Sequence, residues 1–215
     1  MFTKKIIALT LALCLLLAGC ATTQTQPETE AETAKTIVPL PDTTMENLTD
    51  AILAVSFEKG DAYVDDTGKM QMDLKIYTYD KYDMVDISSL EVGDTIVRHS
   101  GEVQVTSKEQ NEAGTIMING GLEEGGFDLV TDDSGIFFET GFDDIKNWYE
   151  VGEATIRVSA DLVGTDNANP DLGELPFYPG DFLGDAIENY HFTPHNTTVR
   201  VADGQIVELH RRYVP

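Results

Sequence analysis

The amino-acid sequence predicts a mainly β protein, built as an antiparallel β-sandwich or as small barrel-like sheets with one or two short helices. Apolar and polar residues alternate from Met70 to Asp80, which is the period of a half-buried strand. Turn-forming residues recur so often between Asn111 and Thr140 that only short hairpins fit between them. Long stretches with helical periodicity are nearly absent. This combination is typical of sandwiches and small barrels.

Strands are expected on both sides of the alternating segment. Residues 54–57 and 62–64 are predicted as strands, and the turn at 65–68 predicts a hairpin from the second of these into the alternating segment. The polar face of that segment carries Tyr77 and Tyr79. Further alternating runs predict strands at Val103 and Val105, at Ile116 and Ile118, and from Ile156 to Leu162.

Two departures from strand structure are expected. A capping-box pattern at 43–46, with Leu48 and Ile52 following at near-helical spacing, predicts a helix of about two turns. The prolines between Asp166 and Gly180 predict a long loop, which a helical turn follows at 182–187. A loop of that length inside a compact domain is usually functional or mobile.

The last hairpin allows a prediction of strand register. A two-residue turn at 203–204 would place Val199 opposite Glu208 and scatter apolar side chains over both faces. A three-residue loop at 202–204 places Val199 opposite Val207 instead. We therefore expect one buried face, formed by Val199, Val201, Val207 and Leu209.

The charge of the chain excludes one class of partner. Its 215 residues include 38 acidic and 14 basic side chains, which gives a formal net charge of −24. The sequence contains no concentrated basic patch. Such a chain repels phosphate backbones, so we expect no nucleic-acid partner.

The first 20 residues have the layout of a secretory signal sequence. Two lysines precede an apolar run from Ile6 to Ala18, which is too short to span a bilayer permanently. The run ends in Leu17-Ala18-Gly19-Cys20, which resembles the lipobox of bacterial lipoprotein precursors. The resemblance implies that lipid, such as palmitate, is attached to the sulfur of Cys20 and that the chain is cleaved just before this residue.

This resemblance also sets the expected domain organisation and location. Residues 1–19 are expected to be a signal peptide, residues 20–36 the lipidated cysteine with a disordered tether, and residues 37–215 a single mainly β domain. The tether has no large apolar side chain to offset the entropy of ordering it. The lipid anchor would hold the protein at the extracytoplasmic face of the cell membrane, or at the outer membrane if the cell has two membranes.

Catalytic signatures are missing from the sequence. The chain has no Gly-x-Ser-x-Gly pattern, and Cys20 is the only cysteine expected in the mature protein. Carboxylate pairs are so abundant that no single pair indicates glycoside hydrolysis. We therefore expect a non-catalytic binding or envelope-structural module rather than an enzyme. The alternative is a tethered hydrolase of cell-wall polymers or glycans, with carboxylates and His191 or His195 in its site.

Aromatic residues give the best indication of a ligand site. Tyr77 and Tyr79 lie on the face opposite the predicted core, and Trp148 and Tyr178 lie near predicted breaks between elements. Such rings stack on sugars or hold peptides, so we expect a glycan, peptide or protein ligand. The alternative is that another part of the chain covers these rings.

An acidic loop is the candidate for a cofactor site, and no cofactor other than calcium is expected. Asp166, Asn167, Asn169 and Asp171 carry oxygen ligands of the type that Ca²⁺ prefers. The loop lacks EF-hand order, because Leu172 stands where the sharp-turn glycine belongs. A loop of good turn formers is the alternative explanation.

The first prediction concerns the anchor. We expect the mature chain to begin at Cys20 and to carry lipid on its sulfur, because four contiguous lipobox positions follow a cationic and then an apolar segment. Mass spectrometry of the protein from the membrane fraction measures both features. An unmodified residue 20, or a full-length precursor free in the cytosol, would contradict the prediction.

Overall fold

The structure, a computed structural model, describes residues 33–42, 45–141, 145–187 and 189–214. These residues are mainly β, which confirms the predicted fold class. The strands are β1 Thr36–Ile37, β2 Ala51–Ser56, β3 Ala62–Val64, β4 Met70–Thr78, β5 Lys81–Tyr82, β6 Thr95–Arg98, β7 Gly101–Gln104, β8 Lys108–Gln110, β9 Ile116–Ile118, β10 Phe127–Thr131, β11 Phe137–Thr140, β12 Tyr149–Asn167, β13 Leu175–Phe177, β14 Thr197–Ala202 and β15 Gln205–Arg212. Helix α1 is Met84–Ser88, and two 3₁₀ helices are Leu122–Glu124 and Pro179–Leu183. No helix in the described ranges has the length and hydropathy needed to cross a bilayer.

Five of these strands close into a barrel. β2 pairs with β4, β4 with β12, β15 with β14, and β14 with β2, all antiparallel. A parallel contact between β12 and β15 completes the ring. Numbered along the chain, the barrel strands follow the order 1-2-3-5-4-1, with the third and fifth strands parallel. This is the strand order of the OB fold. β3 adds to the edge of β4, and β13 adds to β12.

The alternating segments supply the core of the barrel. β4 buries every second side chain, as its sequence period predicts, and its other side chains face outward. Of the two segments predicted as strands, residues 54–56 belong to β2 and residues 62–64 form β3. β3 and β4 form the expected hairpin. The buried residues at the centre of this core are Leu53, Val55, Met72, Leu74, Ile76, Val199, Val201, Ile206 and Leu209.

A second β region, which we call the inserted region (residues 81–140), lies between β4 and β12. Its sheets have the strand orders β1-β6-β7 and β5-β11-β10-β9-β8. β1 comes from the beginning of the compact part of the chain, which starts at Ala34, and it lies parallel to β6. The inserted region has its own core, centred on Tyr82, Ile96, Ile118, Phe127 and Leu129.

The helix predicted from the capping-box pattern is not formed. Residues 45–50 contain only turns and bends, and the strand β2 begins at Ala51. Thr43 and Thr44 lie outside the described residues. Met45 and Leu48 still pack against the barrel core. Pairing of β2 with both β14 and β4 outweighs the weak helical preference of this segment.

The long loop predicted from Asp166 to Gly180 is shorter than expected. β12 continues to Asn167, and β13 pairs antiparallel with its end. The helical turn predicted at 182–187 overlaps the observed 3₁₀ helix, Pro179–Leu183, only at residues 182–183, and residues 184–187 are not helical. The loop itself is confined to residues 168–174. β13 is an edge strand that contains a proline and is too short to show an alternation of apolar and polar residues. Its pairing with β12 is what orders it.

The predicted register of the last hairpin is wrong. Asp203 and Gly204 form a two-residue turn with φ angles of 50° and 69°, and Val201 pairs with Ile206. Positive φ at both positions is typical of a type I′ turn, whose twist matches that of the flanking strands. A regular ladder from this turn would bring Val199 opposite Glu208, which is why the sequence favours the three-residue loop.

A β-bulge removes that objection. Arg200 pairs with Glu208, so Val207 is an extra residue in β15. The register shift brings Leu209 opposite Val199, and both are fully buried. Ile206 is therefore buried and Val207 only half-buried, the reverse of the expectation for these two residues.

The second prediction tests this register. Ile206→Ala should lower the free energy of unfolding by about 2–5 kcal/mol, because it leaves a cavity in the barrel core. Val207→Ala should cost about 1 kcal/mol or less, because its side chain remains partly in water. Urea denaturation of the two variants measures both values. The opposite ranking would support the three-residue loop.

Candidate functional site

A groove of about 630 Å³ lies on the outer face of the barrel. We call it the outer groove. Its walls come from the end of β2, the loop that follows β2, the middle of β4 and the first half of β12. The lining residues are Ser56, Phe57, Glu58, Asp61, Asp73, Leu74, Lys75, Tyr77, Glu153, Ala154 and Thr155.

Strand register brings these side chains together. Leu74 points into the core, so its neighbours Asp73 and Lys75 point outward. In the β4–β12 ladder, Thr155 lies opposite Asp73 and Glu153 lies opposite Lys75. Residues that lie directly opposite one another on paired strands point to the same face of the sheet. The outer groove therefore receives a row of polar side chains from each strand.

Hydrogen bonds hold part of this lining in place. The hydroxyl of Thr155 donates to Asp73 Oδ1 at 2.5 Å. The hydroxyls of Ser56 and Tyr77 are 3.1 Å apart and form a hydrogen bond across β2 and β4. The backbone N–H of Asp73 donates to the carbonyl of Asp61 at 2.9 Å, which ties the loop to β4. The groove is therefore largely preformed.

The outer groove is acidic. Glu58, Asp61, Asp73 and Glu153 contribute four carboxylates, and Lys75 contributes one ammonium group. The Lys75 ammonium lies 3.7 Å from a carboxylate oxygen of Glu153, and both side chains are more than half exposed to solvent. The lining thus accepts hydrogen bonds from hydroxyl or ammonium donors and repels anions.

The four aromatic residues predicted to bind ligand occupy three separate places. Tyr77 lines the outer groove. Tyr79 and Trp148 contact one another in a T-shaped arrangement, with ring centroids 4.7 Å apart. Tyr178 is exposed at the start of the second 3₁₀ helix. Among the described residues, no ring contact joins Tyr77 or Tyr178 to the pair formed by Tyr79 and Trp148.

The pair around Tyr79 packs the barrel against the inserted region. The Tyr79 ring also contacts Phe138 of β11, with centroids 5.9 Å apart. The ammonium groups of Lys81 and Lys146 lie 4.7 and 4.4 Å from its centroid. Tyr79 and Trp148 are half-buried, and aromatic and ammonium groups of the chain surround the Tyr79 ring. This favours the alternative that other parts of the chain cover these two rings.

A polar junction lies beside this aromatic cluster. The Tyr149 hydroxyl donates to Asp80 Oδ1 at 3.1 Å, and the backbone N–H of His99 donates to Asp80 Oδ2 at 2.6 Å. The His99 and Tyr149 rings stack with centroids 3.7 Å apart. Burial and the charge of Asp80 raise the pKa of Tyr149 to about 12, so its hydroxyl remains a donor. The junction encloses about 50 Å³, room for about one water molecule.

Two of the four proposed calcium ligands, Asp166 and Asn169, already accept hydrogen bonds from the protein. Asp166 accepts two hydrogen bonds from the guanidinium of Arg211, at 2.9 and 2.5 Å. Asn169 accepts from the backbone N–H of Asp171 in a local turn. Asn167 ends β12 and is exposed. Within the described ranges, no group of three or more His, Cys, Asp or Glu residues is placed to hold a metal ion.

The two histidines considered for the hydrolase alternative also lie apart from the groove. His191 is exposed, and its backbone N–H donates to the carbonyl of Asn189. The His195 ring lies 6.5 Å from the Trp148 ring. Burial and the nearby charge of Arg212 lower the pKa of His195, which keeps its imidazole neutral over a wider pH range. Neither histidine lines the outer groove.

Most of the groove cannot be predicted from the sequence. The alternation of residues 70–80 does place Asp73 and Lys75 on the same face as Tyr77. The contributions of Glu153 and Thr155 depend on the pairing of β4 with β12, whose sequence separation is about eighty residues. No local pattern encodes that pairing.

Comparison with protein families, with curated proteins and with solved structures finds no match to this chain. The class of the protein therefore rests on its strand order, which defines an OB barrel with a β region inserted between its second and third strands.

The third prediction concerns the pair formed by Asp166 and Arg211. Burial is the largest influence on the pKa of Asp166 and raises it, but the hydrogen bonds from Arg211, the hydrogen bond from the backbone N–H of Ala168 and the charge of Arg211 together hold this pKa below its ordinary value. Asp166→Asn leaves a buried guanidinium without its counter-charge and should cost about 3 kcal/mol of stability near neutral pH.

The expected effect depends on pH in a defined direction. A lowered carboxyl pKa stabilises the fold above the unfolded-state value of about 4, and this contribution is lost as the pH falls through the folded-state pKa. The difference in unfolding free energy between the parent and Asp166→Asn should therefore shrink in acid. Asp171→Asn, an exposed control, should change stability by about 0.5 kcal/mol or less at all pH values. Equal effects of the two substitutions at neutral pH would refute the prediction.

Proposed function

We propose that this chain is a lipid-anchored lipoprotein on the extracytoplasmic face of the cell membrane and that its barrel is a non-catalytic binding module. The outer groove is the observation that carries this proposal. It lies on β4 and β12, the second and third strands of the barrel, and on the loop that follows the first strand. In OB barrels this face and this loop bind oligonucleotides and oligosaccharides.

Charge favours one of these two ligand classes. The groove carries four carboxylates and a single ammonium group, on a chain with a net charge of −24. Such a surface disfavours nucleic acid. Sugar hydroxyls donate well to carboxylates, and Tyr77 provides an aromatic surface beside them. A glycan of the cell envelope is therefore the ligand that we propose, and a peptide with basic side chains is the second candidate.

The fourth prediction tests the groove. We expect chitotetraose to shift the backbone amide resonances of β4 and of the first half of β12 in ¹⁵N-labelled residues 21–215. Tyr77→Ala should weaken binding by about tenfold, because the aromatic contact is lost. Tyr63→Ala is the matched control, since Tyr63 is exposed on β3 but does not line the groove.

Three other outcomes have defined meanings. Shifts with the peptide Ala-Lys-Ala-Lys, but not with chitotetraose, would support a basic peptide as the ligand. Equal weakening by Tyr77→Ala and Tyr63→Ala would contradict the placement of the site in the outer groove. Cleavage of chitotetraose or of muropeptides during the titration would contradict a non-catalytic role and support the tethered hydrolase.

A further inference from the structure

A second cavity, of about 400 Å³, lies at the opposite end of β12. We call it the Arg211 pocket. Its walls are the end of β12, the loop at 168–173, β13 and the residues Ala186, Ile187 and Asn189, with Arg211 of β15 among the lining residues. The Arg211 pocket and the outer groove share no residue. It is therefore independent of the function proposed above.

The hydrogen bonds of Arg211 do not use all of its donors. A guanidinium group has five N–H groups. The Nε and Nη2 atoms each donate to Asp166, and Nη1 donates to the carbonyl of Asn189 at 2.9 Å. The two remaining N–H groups, one on Nη1 and one on Nη2, have no acceptor among the described residues.

Burial makes these two donors significant. The Arg211 side chain is only 4% exposed, and the rings of Phe177 and Phe192 lie 5.4 and 4.5 Å from its Cζ atom. A charged donor that is removed from water and lacks an acceptor is costly. An acceptor atom placed in the cavity would relieve that cost.

The rim of the pocket is apolar and open to solvent. Leu172 is 62% exposed and Leu175 is 44% exposed, and Ile187 and Pro176 complete the apolar wall. Large aliphatic side chains exposed around a cavity mark a surface that gains free energy when a ligand covers it. The ligand should thus have an apolar part beside its acceptor.

Charge decides the nature of the acceptor. Asp166 neutralises Arg211, and the carboxylate of Asp181 also lines the pocket. The lining therefore has a net negative charge, which opposes a carboxylate ligand. An uncharged carbonyl oxygen accepts the same hydrogen bonds without that repulsion.

We propose that the Arg211 pocket binds an uncharged peptide unit that carries one aliphatic side chain. Its carbonyl oxygen accepts from the free N–H groups of Arg211, and its side chain covers Leu172 and Leu175. The volume of the cavity lies within the range of small-ligand sites, and it admits one such unit rather than a folded partner.

Titration of ¹⁵N-labelled residues 21–215 with N-acetyl-leucinamide tests the proposal. We expect saturable amide shifts confined to the residues that line the pocket, which lie at 166–177, 181, 186–187, 189 and 211. N-acetyl-leucine, which has a carboxylate, and N-acetyl-glycinamide, which has no side chain, should each bind about fivefold more weakly. Binding of all three probes with equal affinity would overturn the proposal, as would the absence of saturable shifts at these residues.

Two exposed leucines give a matched pair of variants that leaves Arg211 intact. Leu172→Ser should weaken N-acetyl-leucinamide binding by about threefold, because Leu172 lines the pocket. Leu183→Ser should not change it, since Leu183 is 47% exposed on the neighbouring 3₁₀ helix and lies outside the lining. Equal effects of the two substitutions would refute the site. Shifts that map to β4 would place the probe in the outer groove. That result would contradict the proposed ligand site in the Arg211 pocket and would leave the function proposed for the outer groove standing.

Discussion

Closure of the five-strand ring by the parallel contact between β12 and β15 is the constraint on which the rest of the structure depends. β12 pairs with β4 along its first half and with β15 along its second, so one strand joins the two sides of the barrel. The register between β12 and β15 shifts between Val158 and Val163, where β12 bends around the core. Within the ring, the β4–β12 ladder places the outward rows of these two strands beside one another and forms part of the outer groove.

The two cavities differ in chemistry because they lie at different ends of β12. The outer groove is lined by carboxylates that face solvent, and it suits ligands rich in hydrogen-bond donors. The Arg211 pocket has apolar walls and a buried guanidinium, and it suits a ligand with a carbonyl acceptor. The loop between the third and fourth barrel strands forms only the second cavity. A barrel of this kind therefore offers two binding surfaces without any change of fold.

Local pattern predicted the faces of the strands better than it predicted their partners. The period of two in β4 separates core from surface correctly, because it depends only on the alternation of side chains along one strand. The last hairpin shows the limit of this reasoning. Val207 and Ile206 exchange their expected environments because a bulge shifts the register by one residue. The segment at 45–52 shows the same limit, since pairing with two neighbouring strands outweighs its helical spacing.

The sequence by itself determined the mainly β class, the inward residues of β4 and the acidic character of the chain. Each of these follows from composition or from neighbours along the chain. Only the tertiary structure decided the ring closure, the position of Thr155 opposite Asp73, and the pairing of Arg211 with Asp166, which are 45 residues apart. The physical reason is that these contacts join distant segments, and their free energy comes from burial and pairing that no short window of sequence contains.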